Sequence, residues 1–119
     1  MNRFVLTNNP KVLALCPTAT WIEGDSYTVL LECRGMVHAS HLLLAHPLMG
    51  DIRLIQNPYR TVIVGEKRHD VDLVSLTWIE ESIDLFRRGF KEDQKVEHQE
   101  DYQMIDFDLF QTAIRQGES

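Results

Sequence analysis

Three of the five histidines, His38, His41 and His46, lie close together in the chain, and histidine is the commonest metal-ligating side chain. Their spacing speaks against a shared ion. His41 opens and His46 closes an expected strand, and five residues at ~3.3 Å each hold their backbones about 16 Å apart. His38 and His41 by themselves leave two ligands, fewer than a zinc site uses, so no metal is expected. Arg34 sits one helical turn before His38, where two positive charges would repel, so His38 is expected to be neutral near a helix end.

Nucleophilic chemistry has no clearer carrier. No GxSxG elbow, GxxxxGK[ST] phosphate loop or GxGxxG fingerprint occurs, and Gly24, Gly35, Gly50 and Gly65 stand singly. The carboxylate pairs Asp70/Asp72 and Glu80/Glu81 fall at an expected helix cap and on an expected helix surface, which reads as solvated charge. Cys16 and Cys33 form no CxxC and read as ordinary buried thiols. No catalytic residue and no cofactor is assigned.

The remaining polar groups stand where strands end. Arg3–Thr7 is a short apolar run closed by Asn8-Asn9-Pro10, a strand entering a turn. Residues 11–16 make a short helix stopped by Pro17, and 19–22 a second strand stopped by Gly24-Asp25-Ser26. Asp25 or Ser26 caps a helix to His38, whose apolar positions Val29, Leu30, Cys33, Met36 and Val37 share one face. His41–Ala45 and Arg60–Gly65 are continuous apolar runs, the pattern of strands buried on both faces. Asp72 caps a second long helix that ends in Arg87-Arg88-Gly89. The expected fold is therefore α/β: a small three-layer sandwich with a mostly parallel four-stranded sheet, order 2-1-3-4, and helices on both faces.

The second long helix has two apolar stripes, one through Leu76, Ile79, Ile83 and Phe86, the other through Val74, Trp78 and Leu85. The second needs a cover, either the C-terminal segment or another copy of the chain in a homodimer. The organisation read from this is an α/β domain over 1–90, a charged linker over 91–101, and a C-terminal segment over 102–119 that packs on the domain or on a partner subunit.

In open parallel sheets ligands bind beyond the strand ends where the order reverses. That places a pocket for a small anionic or amide ligand between Thr7-Asn8-Asn9 and His46-Pro47…Gly50, beside the Glu23–Ser26 loop. The alternative is that these residues only set turns, their side chains bonding local backbone. The direction of the fourth strand stays open. Were 46–60 a hairpin-like excursion, Asn57 and Tyr59 would join His46; as a crossover they would sit at the other end.

Acidic residues outnumber basic ones 18 to 12, a net charge of −6, which disfavours nucleic acid and anionic membranes as partners. No apolar stretch approaches the ~20 residues of a membrane span. Phe4-Val5-Leu6 is too short for a secretory h-region, so a cytoplasmic protein is expected.

Two stretches, Leu6-Thr7-Asn8-Asn9-Pro10 and the run from Arg34 through His38, His41, His46 and Pro47 to Gly50, resemble the GrdX family, small proteins encoded with glycine reductase systems in anaerobic bacteria. Asn57-Pro58-Tyr59 and Ile105-Asp106-Phe107-Asp108-Leu109 are similar to that family too. Arg34, His38 and His41, lying in the resembling run, join the ligand-binding candidates. The resemblance implies an accessory role beside glycine reductase, with its components as partners, and no assigned activity. Three readings remain: a non-catalytic ligand-binding accessory protein, a hydrolase or transferase using His46 as acid/base, and a pure interaction module.

Overall fold

A computed structural model describes residues 3–48, 56–89 and 98–118. Three of the helices start where a side chain takes free N–H groups. Asn9 caps α1 (Pro10–Leu15), its Oδ1 accepting from Lys11 N at 3.0 Å, with Pro10 in the first turn where no N–H is missed. Asp25 caps α2 (Ser26–His38) by accepting from Thr28 N and Oγ1, both at 2.9 Å. Asp72 caps α3 (Leu73–Gly89), taking Ser75 N at 2.9 Å and Ser75 Oγ at 2.8 Å. The fourth helix, α4, spans Gln99–Glu118.

The strands are β1 (Phe4–Thr7), β2 (Thr20–Trp21), β3 (His41–Leu43) and β4 (Thr61–Lys67). They form a mixed sheet in the order β2-β1-β4-β3. β2 runs parallel to β1, whereas β4 is antiparallel to both β1 and β3. This corrects the expected mostly parallel sheet of order 2-1-3-4. The apolar run of β4 does place it between two strands and under helices on both sides, with Val62, Ile63 and Val64 all buried. Burial on both faces carries no information about strand direction, and β4 enters the centre pointing the other way.

Alternate residues feed two cores. Leu6, Val62 and Val64 pack against Val29, Leu30, Cys33 and Val37 of α2 and Ile79, Ile83 and Phe86 of α3. Val5 and Ile63 face the other side, where Val12 of α1 and Phe110 of α4 close over them. Each fully buried side chain of this kind contributes about 1.5–3 kcal/mol relative to exposure. Helices therefore cover both faces, α2 and α3 on one and α1 and α4 on the other.

That arrangement decides the cover of the second stripe of α3. Trp78 and Leu85 lean partly against the α2/α3 core, while Val74 stays exposed, because α4 lies across the sheet from it. Of the stretch 91–101, residues 91–97 lie outside the described residues, and Gln99 to Asp101 form the first turn of α4. The outer edge of β3 is closed by Ser75, whose Oγ accepts from Leu43 N at 2.9 Å. Among the described residues no helix is long and apolar enough to cross a membrane.

Candidate functional site

The antiparallel entry of β4 brings its first residue beside the last residue of β1, Thr61 opposite Thr7. Their hydroxyls are 2.8 Å apart, and Thr61 Oγ1 donates to Asp106 Oδ2 of α4 at 2.7 Å. Thr61 has one proton, so the hydroxyl of Thr7 must be the donor between the two, and Thr7 Oγ1 in turn accepts from Asn9 N at 3.0 Å. A directed chain of hydrogen bonds thus ends on a carboxylate.

Asparagines extend the cluster. Asn9 Nδ2 donates to Asp106 Oδ2 at 3.0 Å and to Gln103 O at 2.9 Å, so the residue that starts α1 also holds α4. Asn57 Nδ2 donates to Tyr102 O at 3.0 Å while its Oδ1 accepts from Tyr59 N. Asn8 ties three loops together: Nδ2 donates to Gly24 O and Pro58 O, each at 3.0 Å, and Oδ1 accepts from Arg60 N at 2.8 Å. Gly24 has φ of +134°, and a Cβ there would stand 2.6 Å from Thr28 Oγ1, so this turn requires glycine. Arg60, buried, reaches across with Nη1 donating to Pro47 O at 3.0 Å.

The electrostatics are set by burial. Asp106 is 6% exposed, and loss of water raises its pKa, although the bonds from Thr61 and Asn9 and the charge of Arg60 pull the other way. Arg60 is lowered to about 10, again by burial against the opposing field of Asp106, and so remains a cation at neutral pH. Between them lies a cavity of about 20 Å³, lined by His46, Arg60, Thr61, Asp106 and apolar neighbours including Phe110. Such a space fits about one water molecule.

His46 stands half-buried at this cavity. Its Nδ1 accepts from Leu48 N at 3.1 Å, which places the ring proton on Nε2, and its ring tilts on Trp78 with centroids 5.6 Å apart. Burial lowers its pKa against the opposing charge of Glu81.

The candidate residues Thr7, Asn8, Asn9, His46 and Pro47 thus share one end of the sheet, and Gly50 lies outside the described residues. Asn57 and Tyr59 join them because β3 and β4 are antiparallel. The remaining candidates are elsewhere. Arg34 Nε donates to Glu80 Oε1 at 2.7 Å and His38 Nε2 lies 3.3 Å from the same oxygen, so one carboxylate of α3 joins both side chains of α2. His41 Nδ1 donates to Gly65 O at 2.9 Å, at the opposite end of β3. Among the described residues no three His, Cys, Asp or Glu side chains converge as a metal site.

A hydroxyl bonded to a carboxylate has the form of an activated nucleophile. Here the pair faces a space the size of a single water and an Arg60 cation, an arrangement that suits holding α4 in place. Residues 4–115 match the family model of the GrdX-like protein. The chain belongs to the GrdX family. No curated protein and no solved structure matches it.

The GrdX match runs from β1 into the last turns of α4, so it contains the whole cluster. Three stretches that carry the GrdX resemblance, Leu6–Pro10, Asn57–Tyr59 and Ile105–Leu109, meet in the polar network. Sequence reasoning missed Arg60, Thr61 and Asp106 as members. For Asp106 a signal existed: it lies four residues before Phe110 and seven before Ala113, on the apolar face of a helix where a solvated carboxylate does not belong. Arg60 and Thr61 open an apolar strand, where nothing local marks a charge as buried.

Proposed function

We propose that this GrdX-family protein is a non-catalytic accessory protein that serves glycine reductase by binding a partner protein. The observation that carries the reading is the occupancy of the sheet end by the chain itself. The ligand expected there was an anion or an amide, and α4 supplies both: the Asp106 carboxylate and the Tyr102 and Gln103 carbonyls take the donors of Thr61, Asn57 and Asn9. Donors spent on α4 are not offered to a small molecule, which shifts the weight from ligand capture to contact through the outer surface. The glycine reductase setting comes from the family resemblance.

The test is direct binding between the purified full chain and each purified glycine reductase component, followed by sedimentation velocity. A discrete complex with one component at about 100 μM, where interactions of roughly −5.5 kcal/mol are populated, is the expected result. Independent sedimentation with every component defeats the proposal. A second reading, acid/base catalysis by His46, is favoured by the neutral ring beside Asp106 and Thr61. It requires an activity that His46→Gln abolishes while the fold persists.

A further inference from the structure

We infer that the groove at the start of α3 is the surface through which two copies of this chain pair about a two-fold axis. The groove, with an open volume of about 610 Å³, is lined by Leu42, Arg68, Asp70, Val71, Leu73 and Val74, together with the capping Asp72. Its apolar residues are unusually bare for a small domain: Leu73 is 75% exposed and Val74 56%. No described segment of the chain covers them, since α4 is committed to the other face of the sheet through Phe107, Phe110 and Ile114. A contiguous apolar patch with a polar rim is the form of a protein contact.

Charge identifies the occupant as a second copy. The chain carries −6 overall, so two copies repel over most of their surface. The segment 67–74 is an exception: Lys67 and Arg68 are balanced by Asp70 and Asp72, a sum of zero with His69 neutral. Both signs lie beside one apolar centre, which makes the patch complementary to itself. A two-fold axis through Leu73 and Val74 sets Arg68 of one copy against Asp70 of the other, twice, with the apolar side chains between the pairs. The contact is made by side chains and not by strand pairing, because Ser75 already takes the outward N–H of Leu43. This inference stands independently of the glycine reductase reading.

The test is sedimentation velocity of the full chain over a concentration series, with Leu73→Glu, Arg68→Asp, Asp70→Arg and the double variant Arg68→Asp/Asp70→Arg alongside. All these positions are solvent-facing, so circular dichroism should show an unchanged fold. The expected result is a concentration-dependent dimer whose dissociation constant rises about tenfold or more in each single variant and returns toward the starting value in the double variant. A monomer at every concentration overturns the inference. So does a dimer indifferent to Leu73→Glu, or a double charge swap that fails to restore what the single swaps weaken.

Discussion

Thr61 Oγ1 donates to Asp106 Oδ2 at 2.7 Å, joining the first residue of the central strand to the buried face of the last helix. The carboxylate also accepts from Asn9 and lies in the field of Arg60, so one side chain from α4 engages groups from two separate segments, the start of α1 and the start of β4. Its removal should be felt well beyond α4.

Asp106→Ala would leave the Thr61 and Asn9 donors without their shared acceptor and remove a carboxylate from the field at Arg60. Two bonds to a charged group are lost together, about 1.5–3 kcal/mol of stability each. Asp106→Asn keeps an acceptor oxygen and should cost less. Thr61→Val removes one bond to a charged group, about 1.5–3 kcal/mol, and with it the acceptor of the neutral Thr7 hydroxyl. Urea unfolding of the variants gives the order; an Asp106→Ala loss smaller than that of Thr61→Val would contradict the network.

The pKa of Asp106 is raised above the ordinary 3.8, with burial as the largest cause. The folded chain therefore holds the proton more tightly than the unfolded chain. Its titration contributes stability that is fully present below pH 3.8 and lost as pH rises through the folded-state value. The stability difference between the natural chain and Asp106→Asn should accordingly shrink as pH rises through that window, then level off. A difference that widens with pH would mean that Arg60, Thr61 and Asn9 outweigh burial.

His46 shifts the opposite way. Burial lowers its pKa below 6.5, and Nδ1 is held as an acceptor by Leu48 N. Its contribution to stability is complete above pH 6.5 and is lost as pH falls through the lowered value. Nitrogen-detected NMR should show the Nε2–H tautomer at neutral pH and a midpoint below 6.5; an Nδ1–H tautomer would rule out this hydrogen bond.

The thiols should separate by reactivity. Cys33 is buried in the α2/α3 core and its pKa is pushed up to about 12, whereas Cys16 is partly exposed at the end of α1. An aromatic disulfide reagent should label Cys16 in the folded chain and Cys33 only on unfolding. Equal labelling rates would show that the core around Cys33 opens readily.

Ser75 links a helix cap to a sheet edge, bonding both Asp72 and Leu43 N. Ser75→Ala leaves a buried backbone N–H unpaired, a loss of about 1–3 kcal/mol. Faster amide exchange at Leu43 than at Leu44, whose N–H bonds Ile63 O, would locate the damage; unchanged exchange at Leu43 would mean that the bond is dispensable.

Local physics was legible in the chain itself. Asp25 and Asp72 announce helix starts because a side-chain oxygen must take the first free N–H groups, and the run around Val64 announces a strand buried on both faces; the run around Leu43 reads the same way, yet β3 lies at the sheet edge and leaves Leu44 43% exposed. The grouping of Thr7, Asn8, Asn9 and His46 at one sheet end followed from where strands stop. The rest needed the tertiary structure. Nothing in the apolar run of β4 encodes its direction, because burial on two faces is the same for a strand pointing either way; packing between β1 and β3 decided it, and with it the arrival of Asn57, Arg60 and Thr61. The docking of α4 decided what fills the sheet end. A carboxylate on an amphipathic helix can be placed on the buried face by its spacing, but its partners lie at the start of α1 and on β4, and only the closed fold brings Asp106 to them.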